Sequence, residues 1–232
     1  MNEINLADIR INYTKKELTK DSLAENPVQA FETWMQEAIQ AKVLEPTAMT
    51  VSTVSKDGEP SSRILLLKGI VQGRFQFFSN YSSRKGTEME GNTNIALLFF
   101  WPELERQVRI SGKVSKLSKG DSYAYFKTRP RESQIGAHAS LQSSVIESRE
   151  YLENKYADLV KSFQDTKDIP MPDIWGGYEC EPTSIEFWQG RPSRLHDRIR
   201  YTKLNLHNKS SQLIPEINTG NSISWIRERL SP

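Results

Sequence analysis

The chain has 232 residues, 37% of them hydrophobic, so it can bury a sizeable core as one large domain or two small ones. Its 31 lysine and arginine residues nearly balance 29 aspartate and glutamate residues, which argues against a dedicated nucleic-acid-binding protein. The one cysteine, Cys180, excludes an internal disulfide and favours a reducing compartment. No secretory signal pattern precedes residue 14, and the longest apolar run, residues 95–101, is far shorter than the roughly 20 residues of a membrane span. These features predict a cytoplasmic protein without membrane or nucleic-acid partners.

The beginning of the chain divides into an arm and a helix. Residues 1–25 are polar and without sustained periodicity, which predicts a mobile N-terminal arm, and residues 26–232 are expected to form a single domain. Asn26 and Pro27 are typical of a helix cap and a first helical residue. The apolar face of this predicted helix comprises Phe31, Trp34, Met35, Ala38 and Ile39.

From residue 48 onward, short strands alternate with helices. Helices are predicted from Ser83, from Ser118 to the proline at 130, and over 144–163. Strands are predicted over 48–55, 62–68, 74–79, 95–101, 106–117, 178–188 and 223–227. This order indicates an α+β protein built on a largely antiparallel sheet or barrel. Neither a GxGxxG turn nor a P-loop occurs, so a dinucleotide or nucleoside triphosphate site has no support.

Several clusters combine cations with serine or aromatic residues, as a site for a phosphorylated, planar ligand would require. Arg63 and Lys68 bracket an apolar run, but an ideal strand would point them to opposite faces. Either the strand bends or the two cations serve different parts of one ligand; alternatively, they only keep a sheet edge soluble. Residues 83–85 (SRK) place two cations at a helix start, where phosphate also binds favourably.

Two further clusters lie downstream. Tyr125, Arg129 and Ser133 are spaced by four and can converge across the turn at the intervening proline, where all three could donate hydrogen bonds to a phosphate monoester. His196 has neither a nucleophile partner nor metal-ligand spacing, so neither a hydrolase triad nor a metal site is indicated. Arg194 and Arg198 disfavour its protonation and suit it to a neutral hydrogen-bonding role. For each cluster, the alternative interpretation is unrelated solvated surface charge.

Several long motifs occur in a fixed order. They are EPTAM at 45–49, RILLLK at 63–68, SRK at 83–85, LERQV at 104–108, RPRESQIGAHASLQSS at 129–144, and IEFWQG with RLHDR at 185–198. This collinear set resembles the pyridoxine/pyridoxamine 5′-phosphate oxidase family from about Arg10 to Tyr201. The resemblance implies an FMN-binding split β-barrel with peripheral helices, and a homodimer with FMN at the subunit interface. It also implies oxidation of pyridoxine or pyridoxamine 5′-phosphate to pyridoxal 5′-phosphate, with O2 reduced to H2O2.

The same resemblance assigns site residues one by one. For FMN binding it implies Arg63, Ile64, Leu65, Leu66, Leu67, Lys68, Phe78, Ser79, Arg84, Lys85, Gln107, Gln142, Ser143, Trp188 and Arg198. For substrate binding it implies Arg10, Tyr13, Lys68, Tyr125, Arg129, Ser133, Arg194 and His196. Arg194 and His196 are also the implied catalytic pair, and no metal is expected. Arg10 and Tyr13 match an arm that closes over the site.

Two departures and two alternatives accompany this resemblance. Glu45 stands where an aspartate is expected, and the polar stretch over 202–224 is longer than expected. A split-barrel flavin reductase of another specificity would share the FMN contacts without acting on vitamin B6. A non-catalytic pyridoxal-phosphate-binding protein would bind the ligand without bound flavin or peroxide production.

Overall fold

The computed structural model describes residues 12–204 and 224–232. The chain divides into two compact units. The first unit takes its described residues from Met1–Thr47, Leu98–Ile110 and Thr183–Pro232. The second unit comprises Ala48–Leu97 and Ser111–Pro182.

The secondary structure is mixed. The helices are α1 (Pro27–Gln40), α2 (Arg84–Gly91), α3 (Lys119–Thr128), α4 (Arg131–Ala139) and α5 (Arg149–Ser162). The strands are β1 (Ala48–Val54), β2 (Pro60–Leu66), β3 (Gly69–Val71), β4 (Arg74–Asn80), β5 (Asn94–Trp101), β6 (Arg106–Lys116), β7 (Trp175–Gln189), β8 (Asp197–Lys203) and β9 (Trp225–Leu230). They form one sheet in the order β2-β1-β5-β6-β7-β4-β3, with β8 paired to β7 and β9 to β8. None of the described helices is long and apolar enough to span a membrane.

In the second unit, antiparallel hairpins carry the candidate site. Strand β1 pairs with β2 so that Val51 lies opposite Arg63, and β4 pairs with β3 and with the first part of β7. Buried residues of helices α3 and α4 and strand β7 form a local core. Its buried members are Phe126, Ile135, Ala137, Ile169 and Trp175.

In the first unit, helix α1 packs through aromatic contacts. The Phe31 ring lies 4.9 Å from that of Phe99, and the Trp34 ring lies 5.0 Å from that of Phe187, both edge-on. The second part of β7 pairs antiparallel with β8, and β8 with β9. The predicted cap is confirmed, since the Asn26 side chain accepts a hydrogen bond from the backbone N–H of residue 28. Ile39 is 48% exposed, so its place on the buried face was predicted wrongly: it lies at the edge of the apolar stripe.

Several other element predictions are confirmed and some are corrected. Serine caps begin α2 and α3 as predicted, through Ser83 and Ser118. Helix α5 begins at Arg149, later than the predicted start at 144, because Ser148 provides its cap. Helix α4 was not predicted, since the proline at 130 was interpreted only as the end of α3. Proline is also well tolerated at the start of a helix, and here Pro130 is the N-cap of α4.

The described part of the N-terminal segment packs within the first unit. Leu18 and Leu23 are buried, in contrast to the expectation from the polar composition that this segment stays outside the core. Main-chain groups provide further contacts: the carbonyl oxygen of Ala24 accepts from the Tyr201 hydroxyl, and that of Leu18 accepts from Arg229. A few apolar side chains and backbone hydrogen bonds, which hydropathy does not register, therefore attach this segment.

Candidate active site

A cleft of about 500 Å³ opens in the second unit at the C-terminal end of strand β2. It is lined by Ile64, Leu65, Leu66, Lys68, Phe78, Tyr125, Thr128, Arg129, Pro130, Ser133 and Trp175. Strands β2, β4 and β7 contribute mainly apolar side chains, and the α3–α4 turn contributes polar ones. The fold therefore brings four sequence-predicted substrate residues together in one cleft, from segments that are distant along the chain.

Aromatic rings form one wall of this cleft. The Phe78 and Tyr125 rings are stacked, with centroids 3.8 Å apart and planes at 17°. Trp175 continues the stack, with its centroid 5.5 Å from that of Phe78 and planes at 13°. A flat, apolar wall of this kind suits a planar aromatic ligand.

Arg129 is the most informative polar residue of the cleft. Its guanidinium carbon lies 4.6 Å above the Trp175 ring, and its Nη1 is buried with no hydrogen-bond partner among the described residues. Burial lowers the pKa of Arg129, but an arginine remains protonated in proteins. A buried, charged N–H donor without an acceptor is costly, so this position fits a ligand that brings an anionic oxygen.

Three more donors surround Arg129 in the lining. Burial raises the pKa of Tyr125, and the charge of Arg129 only partly offsets this, so the phenol stays protonated and can donate. Ser133 lies in the first turn of α4. The N-cap residue of this helix forms no side-chain capping hydrogen bond, and the helix dipole favours an anion at this end. Lys68 is exposed just beyond the end of β2. These donors together form an arrangement suited to a phosphate group.

Not every predicted residue of this strand faces the cleft. Leu67 is 7% exposed and is absent from the lining, because it packs into the core. Arg63 is also absent from the lining and belongs to a separate cluster. Of the two cations that bracket the apolar run, Lys68 thus lines the cleft and Arg63 belongs to the separate cluster. This is possible because β2 ends at Leu66 and Lys68 lies beyond the regular strand.

The separate cluster is built around Arg63 and a buried carboxylate. Arg63 donates to the side-chain oxygens of Thr53 and Ser61, and its Nη2 lies 3.4 Å from Glu88 Oε2. Burial alone would raise the pKa of Glu88, but hydrogen bonds from Ser61, Thr53 and Arg84 and the charge of Arg63 lower it to about 2. Glu88 is therefore ionised at all physiological pH values and holds both arginines in place.

Lys85 lies beside this cluster and is almost completely buried. Its Nζ donates to Gln142 Oε1 at 2.6 Å and to Ser83 Oγ at 3.2 Å. Burial and the charge of Arg63 lower the pKa of Lys85 to about 8, although Glu88 acts in the opposite direction. Two cations that repel each other next to the start of α2 form a site with a net preference for an anion.

The other predicted phosphate residues surround Lys85. Ser79 donates to Gln142 Oε1 at 3.3 Å, so that amide oxygen accepts from two side chains. Ser143 follows in the left-handed region with φ of 75°, a backbone conformation that costs energy in a non-glycine residue. Arg84 is 57% exposed at its side chain and donates through Nε to Glu88 at 2.8 Å. Ser79, Lys85 and Gln142 are thus connected in one network, whereas Arg84 belongs to the cluster around Glu88.

In the first unit, Tyr13, Trp188 and His196 lie together. The Trp188 ring centroid is 4.7 Å from that of His196, and the Tyr13 ring meets both rings edge-on at 5.6 Å and 5.8 Å. His196 Nδ1 accepts a hydrogen bond from the backbone N–H of Arg191 at 3.1 Å. Since Nδ1 accepts, it carries no proton, which agrees with the neutral role predicted for this histidine.

The remaining predicted residues differ in their exposure and in their side-chain contacts. Arg194 is exposed and, with Ser193, adopts a left-handed backbone with φ of 61° and 56° respectively. Arg198 donates through Nε to Glu186 Oε1 at 2.9 Å. Gln107 is half-buried on β6 in the first unit, and Arg10 lies outside the described residues.

The sequence analysis missed three buried carboxylates, of which Glu88 and Glu105 form the most contacts relevant here, and Glu186 pairs with Arg198. Glu88 follows Arg84 by four residues within a helix, a spacing that favours an ion pair and could have indicated it. Its bonds to Thr53 and Ser61 depend on the β1–β2 hairpin and have no signal in the sequence. Glu105 lies inside the LERQV motif, but its role depends on residues 90 positions away.

Comparison with known proteins gives a consistent result. The model of the pyridoxamine 5′-phosphate oxidase family matches residues 35–160. A second family model, that of the pyridoxine 5′-phosphate oxidase C-terminal dimerisation region, matches residues 175–232. The chain is 50% identical over 228 residues to a pyridoxine/pyridoxamine 5′-phosphate oxidase of Leptospira biflexa, covering 98% of this chain and 99% of that protein.

Solved structures share the architecture. PhzG from Burkholderia lata 383, in complex with tetrahydrophenazine-1-carboxylic acid, has a TM-score of 0.80 and 28% identity, covering 94% of this chain and 100% of that chain. A pyridoxamine 5′-phosphate oxidase-related, FMN-binding protein from Nostoc punctiforme has a TM-score of 0.64 at 12% identity, covering 87% of this chain and 97% of that chain. The second likeness concerns the fold alone.

Proposed function

The chain belongs to the pyridoxamine 5′-phosphate oxidase family, and from this we propose that it oxidises pyridoxine or pyridoxamine 5′-phosphate to pyridoxal 5′-phosphate. It is a flavin-dependent oxidoreductase with the split β-barrel fold of its family, as the resemblance predicted. The proposed flavin is FMN, the electron acceptor is O2, and the by-product is H2O2; the amine substrate also consumes water and releases ammonia. A cytoplasmic location agrees with the free, buried Cys180.

The observation that carries the substrate proposal is the cleft around Arg129. A buried guanidinium nitrogen without an acceptor lies beside a tyrosine, a serine and a lysine, next to a stack of aromatic rings. A phosphate ester on a planar pyridine would satisfy the donors and lie along the rings. We therefore assign Lys68, Tyr125, Arg129 and Ser133 to the substrate phosphate.

The Arg63 and Lys85 cluster fits the phosphate of FMN. It offers two cations, and the charge of one lowers the pKa of the other, so an added dianion would relieve their repulsion. We assign the FMN phosphate to Arg63, Arg84, Lys85, Gln142 and Ser143. We assign the rest of the flavin pocket to Ile64, Leu65, Leu66, Lys68, Phe78 and Ser79; Leu67 supports this strand from the core.

A homodimer agrees with the match of residues 175–232 to a dimerisation region. We propose that Gln107, Trp188 and Arg198 contribute to the flavin site of the other subunit. The ion pair between Arg198 and Glu186 would then hold the guanidinium in a defined position.

In the proposed reaction, the residues assigned above would hold a flavin, which would supply the two-electron redox chemistry between C4′ of the substrate and O2. The chain orients the substrate by its phosphate, and a fixed orientation supplies much of the rate enhancement. Arg194 and His196 are assigned to the pyridine ring. Because His196 Nδ1 accepts from the backbone, its Nε2 carries the ring proton and can donate to the substrate. No side chain is assigned as general base.

The test is a turnover assay on purified protein. We expect a yellow protein that, with pyridoxine 5′-phosphate in air, forms pyridoxal 5′-phosphate and H2O2 in equal amounts. Unphosphorylated pyridoxine should show a kcat/KM lower by about 100-fold or more, because it lacks the phosphate contacts. A yellow but inert protein would refute the substrate assignment and favour a flavin protein of another specificity. A protein that takes up no FMN and makes no peroxide would refute the oxidase function.

A second test concerns Lys85 and pH. Its pKa of about 8 means that the free protein loses this positive charge as the pH rises through about 8. A bound phosphate favours the charged form, so FMN affinity should be greatest below pH 8 and fall by up to about tenfold per pH unit above it. Quenching of FMN fluorescence between pH 7 and 9.5 measures this. Lys85→Arg keeps its charge and should abolish the fall; the same slope in both proteins would contradict the assignment.

A further inference from the structure

Glu105 is a buried carboxylate that holds the N-terminal segment. It follows the turn Pro102–Leu104, has a left-handed backbone with φ of 55°, and is 7% exposed. Its Oε2 accepts hydrogen bonds from two successive backbone amides, Thr14 at 2.9 Å and Lys15 at 3.0 Å. Successive amides that converge on one anionic oxygen are a recurrent way of binding a carboxylate.

No cationic side chain forms an ion pair with Glu105 within the part of the chain that the structure describes. The two amides are therefore the partners that compensate the buried charge of this carboxylate. Lys15 Nζ donates to the backbone oxygen of Glu103, which brings a second contact to the same turn. The segment is thus attached to this turn mainly through its backbone.

The main chain of Glu105 contacts the end of β7 as well. Its carbonyl oxygen accepts from the Gly190 amide at 2.8 Å and from Gln189 Nε2 at 3.2 Å. A Cβ at Gly190 would lie 2.6 Å from Tyr13 Cγ and 3.1 Å from Glu105 Cβ. Glycine is required there because the Tyr13 ring, Glu105 and the end of β7 meet without space for a side chain.

Tyr13 immediately precedes the two amides that Glu105 binds. Its ring lies edge-on to Trp188 and His196, which the proposed function places at the flavin and the substrate. We propose that Glu105 is a positioning residue: its carboxylate fixes the backbone at Thr14 and Lys15 and so holds Tyr13 over Trp188 and His196. The catalytic consequence rests on the proposed function, whereas the attachment of the segment does not.

The other contacts of the segment lie farther from Tyr13. Arg191 pairs with Glu17, and the Leu18 amide donates to Asp197 at 3.0 Å. These contacts hold residues 17 and 18, whereas the backbone amides directly after Tyr13 are bound by Glu105. Loss of its carboxylate should therefore free Tyr13 while the segment stays attached at its far end.

The test compares Glu105→Gln, Glu105→Ala and Glu105→Gly in the FMN-loaded protein. Limited trypsin digestion, followed by mass spectrometry, measures cleavage after Lys15 and Lys16. We expect cleavage to be about tenfold faster in the alanine and glycine variants, with an intermediate rate in the glutamine variant, which keeps a neutral acceptor. Glu32→Gln, on the exposed face of α1, is the matched control and should digest like the parent protein.

The glycine variant separates the carboxylate from the backbone. Glycine adopts a positive φ freely, so Glu105→Gly keeps the turn while removing the carboxylate. Tryptic cleavage that is equally fast in the glycine and alanine variants, and faster than in the parent protein, supports the inference. Digestion of Glu105→Gly at the parent rate would overturn it, since the backbone conformation alone would then hold the segment.

Kinetics provide an independent measurement. In Glu105→Gln the KM for pyridoxine 5′-phosphate should rise severalfold while bound FMN stays constant, because Tyr13 no longer covers the substrate. Faster cleavage with an unchanged KM would refute the positioning role. If the protein proves inactive on this substrate, the proposed function fails, and the digestion result still decides whether Glu105 holds the segment.

Discussion

Replacing Arg129 by alanine is expected to raise the KM for pyridoxine 5′-phosphate by about 30-fold or more, because loss of one partner of a buried, hydrogen-bonded charge pair costs about 2–5 kcal/mol. Arg129 offers the buried Nη1 that has no acceptor among the described residues. Bound FMN should be unchanged, since Arg63 and Lys85 form a different cluster. Steady-state kinetics with a flavin-to-protein ratio measure both quantities.

Arg131 is the matched control for this prediction. It lies two residues later, is exposed, and donates to the backbone oxygens of Phe163 and Thr166, outside the cleft. Arg131→Ala should leave KM within about twofold of the parent value, because Arg131 is exposed and does not line the cleft, and a surface contact contributes little. An unchanged KM in Arg129→Ala, or an equal rise in Arg131→Ala, would refute the assignment of Arg129 to the substrate phosphate.

Replacing Arg63 by alanine is expected to weaken FMN binding by about 100-fold, since Arg63 would supply a charge-assisted hydrogen bond to the phosphate and part of the local positive charge. The melting temperature should fall too, because the buried carboxylate of Glu88 loses one of its cations. FMN retention on gel filtration, FMN titration and thermal denaturation of the apoprotein provide the measurements.

The double variant Arg63→Ala/Glu88→Gln separates the two effects. A neutral amide at position 88 removes the uncompensated charge, so the melting temperature should recover while the FMN affinity stays low. Arg74→Ala is the control: Arg74 pairs with Glu179 and Glu181 in the same unit, so its loss should leave FMN affinity unchanged. If the double variant binds FMN like the parent protein, Arg63 does not hold the phosphate.

The elements that were predicted correctly are those with local causes. Asn26, Ser83 and Ser118 cap helices through hydrogen bonds to residues two or three positions away, so the sequence alone indicates them. Helix α4 was missed because the proline at 130 both ends one helix and precedes another, and the packing of α4 against α5 and the local core depends on tertiary contacts. The burial of Leu18 and Leu23 was missed because it depends on contacts with residues near the end of the chain.

In the candidate site, too, some features follow from local sequence and others depend on tertiary contacts. The amino-acid sequence by itself determined the family, the antiparallel α+β class and most candidate residues, because cations, serines and aromatic rings occur in ordered motifs. Only the tertiary structure decided that Leu67 lies in the core, that Arg63 and Lys68 serve different clusters, and that Glu88 and Glu105 are buried. The physical reason is that hydrogen bonding and burial of a charge depend on distances of a few ångströms between segments far apart in the chain, and spacing along the sequence carries no information on those distances.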